Sequence, residues 1–269
     1  MSLQTAAAVT DFSSQRGVAK PHYATADTSW YYFPHIFNAH LANSPVQKQG
    51  VYQLRHKVYC EEMGFEPVRA NGLEQDGFDE RSLHAGINHV SSNKLAGTVR
   101  IITSEYTDEP LPIEQYFSSQ ITNSVLAPQN FSRQHICEIS RLAVPGEIRY
   151  RANAAQSGQS LVENECCKMV AISLYLIATS MCLRSRRVHA YVMIEPALAR
   201  ILRRIGIHFV QIGNPIDFNG IRAPYYLDMR TTAATLKPEY LQLREKLEAQ
   251  LYAKQATMRP KMELCYSAS

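Results

Sequence analysis

Residues 168–194 read KMVAISLYLIATSMCLRSRRVHAYVMI, from Lys168 to Ile194. Between Lys168 and Arg184 lie fifteen residues, Met169 to Leu183, whose only small polar side chains are Ser173, Thr179 and Ser180. A membrane-crossing helix needs about 20 apolar residues. The run therefore predicts a helix buried inside protein on nearly every side, extending back to Gln159. Val188 to Ile194 then predicts a buried strand. Upstream of the helix, His135 to Val144 alternates and is β-branched, and Pro145-Gly146 closes it, so a second strand is predicted there. Strand, long helix, strand is a βαβ-like unit, and the rest of the chain is arranged around it.

The front half predicts antiparallel structure. Trp30-Tyr31-Tyr32-Phe33 with Ile36-Phe37 predicts a first strand. Val46 to Met63 has apolar residues at Val51, Leu54, Val58 and Tyr59, a helical spacing that Gly64 would stop. Residues 66–83 form a polar acidic loop. His84–Val90 and Leu95–Thr103 predict a hairpin, and Pro110–Phe117 a short helix. Behind Ile194, Pro196 suits a helix N1 position, with Ala197–Arg204 continuing to Gly206. His208–Ile212 and Tyr225–Met229 predict strands, and Pro238–Ala253 a terminal helix. The expected class is α+β, that is mixed α/β, as one domain over residues 29–255, with an arm at 1–28 and a tail at 256–269.

Composition narrows the possible functions. The chain has 269 residues, 45% of them apolar, so wholesale disorder is excluded. Its net charge of +4 hides an asymmetry. Residues 1–135 carry 10 basic and 13 acidic side chains, whereas 136–269 carry 18 and 11. That excess is too modest and too spread for a nucleic-acid footprint. The six cysteines show no C-x-x-C pair, and the histidines are scattered singly, so neither a disulfide framework nor a metal site is expected. There is no basic region followed by an apolar stretch at the N-terminus. A cytoplasmic protein with no integral membrane segment is expected.

The polar residues within structured segments are the candidates for chemistry. Arg55 sits on the first helix with Tyr59 one turn later, and Phe65 follows. Asp76 and Asp79 lie in the acidic loop. Arg100 interrupts the apolar strand Gly97-Thr98-Val99-Arg100-Ile101-Ile102. Glu138, Ser140 and Arg141 lie in Cys137-Glu138-Ile139-Ser140-Arg141-Leu142, where strand alternation puts Glu138 and Ser140 on one face and Arg141 on the other. Buried arginines and carboxylates require partners. Glu138 with Arg141 is also readable as a structural ion pair, Asp76 and Asp79 as solvated turn residues, and Tyr191 as either a general acid or a packed core tyrosine. Cys166-Cys167 lies in an apolar run with no adjacent base, which argues against a nucleophile.

Taken in order, Arg55-x-x-x-Tyr59, Phe65, Asp76-x-x-Asp79, Arg100 and Glu138-x-Ser140-Arg141 resemble the signature of the autoinducer synthases within the GNAT acyltransferase superfamily. Tyr59 and Phe65 depart from it, standing where those synthases usually have Phe and Trp. The back half, Met193-Ile194-Glu195-Pro196-Ala197-Leu198-Ala199-Arg200, Arg204-Ile205-Gly206-Ile207 and Asn219-Gly220-Ile221-Arg222-Ala223-Pro224-Tyr225, is similar to the acyltransferases of bacterial PEP-CTERM/exosortase systems. Those are in turn related to N-acyl amino acid synthases. The resemblance spans roughly residues 50–230.

The resemblance implies a GNAT-like three-layer α/β/α sandwich with a splayed mixed central sheet. It implies an N-acyltransferase with no bound cofactor, taking a long acyl chain from acyl-phosphopantetheine on acyl carrier protein to a small amine acceptor. Coenzyme A donors usually go with a Gln/Arg-x-x-Gly-x-Gly/Ala loop, which Arg151-Ala152-Asn153-Ala154-Ala155-Gln156-Ser157-Gly158 matches poorly; acyl-CoA stays open as a donor. Glu138 becomes the candidate base, grouped with Ser140 and Arg141. Arg55, Tyr59, Phe65, Asp76, Asp79 and Arg100 become acceptor-side residues. Arg149, Arg151, Arg184, Arg186 and Arg187 suit docking of an acidic carrier, or a solvated helix end. The rivals are acyl-homoserine-lactone synthesis from S-adenosylmethionine and a non-catalytic lipid-binding or regulatory module of the same fold.

Overall fold

The computed structural model describes residues 29–151 and 161–256. The arm expected at 1–28, the segment 152–160 and residues 257–269 lie outside the described residues. Eight strands form one open mixed sheet: β1 (Phe37–Leu41), β2 (Ser82–His89), β3 (Leu95–Thr103), β4 (Ile136–Ala143), β5 (His189–Ile194), β6 (Val210–Gln211), β7 (Ile216–Asp217) and β8 (Ile221–Asp228). The strand order is β1-β2-β3-β4-β5-β8-β6, with β7 paired to β8. Antiparallel pairing runs from β1 to β4, and β4 and β5 are parallel.

The crossover between the parallel strands is the long helix recognised from its composition. Helix α5 (Leu161–Arg184) crosses one face of the sheet, with α1 (Ser29–Ile36) and α8 (Pro238–Ala256) beside it. Every residue from Ser173 to Cys182 is buried. The helix is long and apolar enough to cross a membrane, but here those side chains face sheet and helices. Full burial of each Leu, Ile or Met contributes about 1.5–3 kcal/mol, which makes this helix the centre of the larger core. Thr179 offsets its own burial by donating its hydroxyl to the Tyr175 carbonyl at 3.0 Å.

Helix and strand approach each other most closely at Gly97 on β3. An added Cβ there would lie 2.9 Å from Leu174 Cδ1, 3.1 Å from Val170 Cγ1 and 3.2 Å from the Ala143 carbonyl. Gly97→Val should lower stability by about 1–3 kcal/mol or more, read as a fall in the urea midpoint at unchanged slope.

The opposite face carries α2 (Pro45–Arg55), α3 (Pro112–Phe117) and a 3-10 turn at Gly77–Arg81. Helix α2 is capped at its start. Ser44 accepts from the Gln47 amide, Gln47 reaches back to the Ser44 amide, and Pro45 takes the first position. The helix then widens into a π-turn over His56–Glu62.

Two expectations are corrected. Trp30–Phe37 is not a strand: Ser29–Ile36 is helical, and the first strand is Phe37–Leu41. The aromatic composition favours a strand, but Phe33 and Phe37 are four apart, both fully buried, and stacked with centroids 4.9 Å apart. Tertiary burial at helical spacing overrides β propensity. The His208–Ile212 strand shrinks to Val210–Gln211, because Ile212 and Gly213 turn away toward residues 121–123. Its neighbour β8 starts earlier than expected, at Ile221. Asn219 (φ 53°) and Gly220 (φ 94°) make the tight turn that joins β7 to β8.

Parallel pairing of β4 with β5 covers only Ile136–Glu138 against His189–Tyr191. Beyond Glu138 the two strands have no shared ladder. The sheet opens into a V with Glu138 at its base.

Candidate active site

A cleft of about 540 Å³ lies in this V. One wall is polar, with Tyr59, Glu66, Arg69, Asp76, Arg100, Ser140 and Arg141. The other is largely apolar, with Phe78, Pro112, Phe117, Met193, Ile216 and Phe218. Glu138 lines its floor. Phe117 and Phe218 meet edge to face at 5.0 Å, which holds the β7–β8 turn against α3.

Glu138 is 4% exposed, with the Ile113 amide donating to its Oε2 at 2.8 Å. Burial pushes its carboxyl up to about 8, against the opposing pulls of that amide and of the Arg100 charge. No cation pairs with it among the described residues, so the Glu138–Arg141 ion pair open from sequence is not formed. A carboxyl poised near neutral pH is suited to take and return a proton.

The polar wall is held by an ion-pair cluster. The guanidinium of Arg55, fully buried, donates to Glu74 Oε2 at 2.5 Å and to both Asp79 oxygens at 2.7 and 3.0 Å. Arg100 donates to Asp76 Oδ1 at 2.7 Å, Asp79 Oδ1 at 2.9 Å and Ser140 Oγ at 3.0 Å. Arg141 reaches Glu74 at 3.2 Å, Glu66 at 3.0 Å and Asp76 at 3.4 Å. Burial alone would raise the Asp79 carboxyl, but the Arg55 hydrogen bonds and the Arg55 and Arg100 charges hold it well below the usual range. Asp76 and Glu74 are depressed in the same way, burial being outweighed by Arg100 and Arg55 respectively.

The D-x-x-D spacing has a local cause. Asp76 caps the 3-10 turn by accepting from the Phe78 amide, and Asp79 accepts from the Asp76 amide. Each carboxylate thus shapes its own turn while it pairs with an arginine from the sheet or helix. Asp79 is buried, not solvated.

Arg141 does not face away from Ser140, as regular alternation predicts. It adopts φ 49°, and the β3–β4 register runs Arg100↔Ser140 then Thr98↔Ala143, so β4 holds one extra residue. The bulge turns Arg141 into the cleft. A left-handed arginine costs roughly 1–2 kcal/mol, which its three carboxylate partners offset.

Tyr59 donates its hydroxyl to the Leu142 carbonyl at 2.8 Å and carries Arg141 over its ring at 5.5 Å. Phe65 packs under Arg222, whose Cζ lies 5.8 Å from the ring centre. Tyr191 is a core tyrosine, with its hydroxyl donating to Leu126 and burial raising its pKa far above the usual value. Burial pushes the Cys166 thiol up to about 12, which fits a packing role.

The arginines expected at a carrier-docking face are separated. Arg187 leaves that set: it is buried, and its guanidinium donates to the carbonyls of Ser104 and Arg133 and to Glu105. Arg149 is tied to Glu62 at 2.6 Å and sits beside Cys167 and Lys168, early on α5. The side chain of Arg151 lies outside the described residues. Arg184, stacked 4.6 Å over Tyr252, and Arg186 are exposed at the other end of α5. The two groups are on the order of 25 Å apart by helix rise.

Among the residues of the cleft region not singled out as site residues from sequence, two matter most. Glu74, fully buried, bridges Arg55 and Arg141. Its signal was the need of two buried arginines for more carboxylates than Asp76 and Asp79 supply. The second is Arg222, whose Nε is buried and lacks a hydrogen-bond partner. An unpaired buried donor costs roughly 1–3 kcal/mol, and no sequence pattern announces it.

Residues 54–158 match the acetyltransferase (GNAT) domain model. The chain is 23% identical over 194 residues to an acyl-homoserine-lactone synthase of Aeromonas hydrophila, covering 70% of this chain and 84% of that protein. Its fold is similar to BjaI, a CoA-dependent acyl-homoserine lactone synthase solved with SAM and isopentyl-CoA (TM-score 0.56, 17% identity, 79% of this chain and 90% of that one). It is also similar to FeeM, an N-acyl amino acid synthase from uncultured soil microbes (TM-score 0.51, 15% identity, 74% and 94%). The GNAT domain match and the synthase relatives indicate an acyltransferase. More particularly, the chain is similar to the acyl-homoserine-lactone synthases over 70% of its length, consistent with an autoinducer-synthase-like GNAT fold.

Proposed function

We propose that this chain is an N-acyltransferase that moves a long acyl chain from the phosphopantetheine thioester of acyl carrier protein to the amine of an amino acid or similar small acceptor. The observation that supports it most is Glu138: a buried, unpaired carboxyl with its pKa pushed up to about 8, on the floor of a cleft with one polar and one apolar wall. The amine must lose a proton as it attacks the thioester carbonyl. Glu138 takes that proton, directly or through a water. The C–N bond forms, the C–S bond breaks, and the proton passes to the departing thiolate. The β5-facing backbone groups of Ile139–Arg141, freed from pairing by the splay, are suited to bind the developing oxyanion. No covalent enzyme intermediate is needed.

The arginine cluster holds residues 65–81 against the cleft and so shapes its acceptor side. The exposed Arg184 and Arg186 are the docking residues we retain for an acidic carrier, in a cytoplasmic enzyme serving an exosortase-type system. A second reading, acyl-homoserine-lactone synthesis from S-adenosylmethionine, is favoured by the similarity to the Aeromonas hydrophila acyl-homoserine-lactone synthase. Lipid extracts of cells with and without the intact gene separate the two. An added mass matching an N-acyl amino acid supports the first reading, and a homoserine-lactone product replaces it with the second. If purified protein, supplied with loaded carrier or acyl-CoA and a panel of amines, makes neither product, both fall.

A further inference from the structure

Four arginines line the cleft besides Arg222 or lie directly behind its polar wall, and all are committed. Arg55, Arg100 and Arg141 pair with carboxylates, and Arg69 donates to the Gln75 carbonyl. Arg222 differs. It lines the same cleft as Glu138, yet among the described residues its side chain has no carboxylate partner and no hydrogen bond, and its Nε is buried. Its guanidinium lies over the face of Phe65. That contact spans the V: Arg222 belongs to β8, on the β5 side of the splay, while Phe65 follows the α2 segment on the β4 side. A planar guanidinium stacked on a ring keeps its donor edge free, which suits a carboxylate in two-point contact.

We propose that Arg222 is the anchor for the carboxylate of the acceptor, so that the acceptor is an α-amino acid or another amine with a nearby carboxylate, not a simple alkylamine. This rests on the acyltransferase reading above and deepens it. The turn geometry supports the placement. Asn219 and Gly220, both left-handed, fold β7 back on β8 and bring Phe218 and Arg222 into the same cleft. An acceptor held there by its carboxylate lies between the ion-paired wall and the floor where Glu138 receives the amine proton. The nearby anion of a phosphopantetheine arm is the other source of negative charge. The acceptor is favoured because Arg222 stacks on Phe65, at the start of the segment that the ion-pair cluster holds against the cleft.

The test is a binding measurement that needs no turnover. Calorimetric titration of the full chain with N-dodecanoyl-glycine and with its primary amide should give roughly 10- to 100-fold tighter binding of the carboxylate. Arg222→Gln should abolish that preference and leave amide binding unchanged. If the wild type shows no preference, or the variant keeps it, the proposal is overturned. A matched pair, pantetheine and pantetheine 4′-phosphate, tests the donor: a phosphate preference lost in Arg222→Gln assigns the charge to the donor arm and overturns the acceptor role. Failure of catalysis with the carboxylate preference intact would remove the acyl-transfer reading and keep the anchor.

Discussion

Glu138→Gln should lower the turnover of acyl transfer by about 10²- to 10⁴-fold while leaving the folded structure in place. The amide is the same shape and its carbonyl still accepts from Ile113, but it cannot take a proton. In the wild type, kcat should rise about tenfold per pH unit below the working pKa and level off near pH 8, where the carboxyl ionises. Residual activity of the variant should lack that limb. Stability runs the other way. The raised pKa of Glu138 contributes stability that is fully present near pH 4.5 and lost as pH rises toward 8, because ionisation in the unfolded chain is then no longer matched in the fold. Urea titrations should therefore find the variant gaining on the wild type as pH rises across that window. Full activity in Glu138→Gln would remove the residue from the base role.

Asp79→Asn should be the most destabilising single change at the site. Asp79 meets Arg55 with both oxygens and Arg100 with one, all three residues being buried. Removing its charge leaves two buried guanidinium groups under-compensated, at a cost of about 3–5 kcal/mol. For a folded unit of this size that is a fall in Tm of roughly 6–20 °C. Glu66→Gln removes only a part-exposed partner of Arg141 and should stay within about 1 kcal/mol.

Acid should mimic Asp79→Asn. Glu74, Asp76 and Asp79 are all depressed, so their stabilisation is present above the ordinary carboxylate range and lost as pH falls below it through their lowered values. His84, 3.6 Å from Asp79, is held at about 4 from 6.5 by burial, so stability also declines as pH falls between those values. Thermal melts from pH 7 to 4 should show the His84 effect, and melts continued below pH 4 the carboxylate effect, with a weaker dependence in Asp79→Asn. A Tm for Asp79→Asn within about 2 °C of wild type would mean that the cluster holds nothing in place.

How much of this is legible in the chain follows the range of the interactions. The apolar run Met169–Leu183 declares a buried helix, because nothing else can cover apolar side chains on every side, and α5 is that helix. The paired strands around Ser91–Lys94 are equally local. Trp30–Phe37 misleads because aromatic composition suits a strand or a buried helix, and only packing against α5 and α8 chooses between them. At the site, the list of charged residues in apolar elements is readable, since each one needs a partner. Which partner each finds is not. Glu74 joins the cluster across 19 residues from Arg55 and 67 from Arg141. Arg141 reaches it only because a bulge breaks the pleat on which sequence alternation depends.

By itself, then, the sequence determined the mixed α/β class, the central helix, most of the order of elements and a set of ionisable residues too costly to bury unpaired. Those follow from periodicity and desolvation, which act on neighbouring residues and on single groups. The tertiary structure alone decided that β4 and β5 part company after Glu138, that this carboxyl is left buried without a cation, that Arg187 turns inward, and that Arg222 stands unpaired beside Phe65. Each of these depends on which strand lies next to which. That contact is set by packing across the whole sheet, and no local pattern in the chain encodes it.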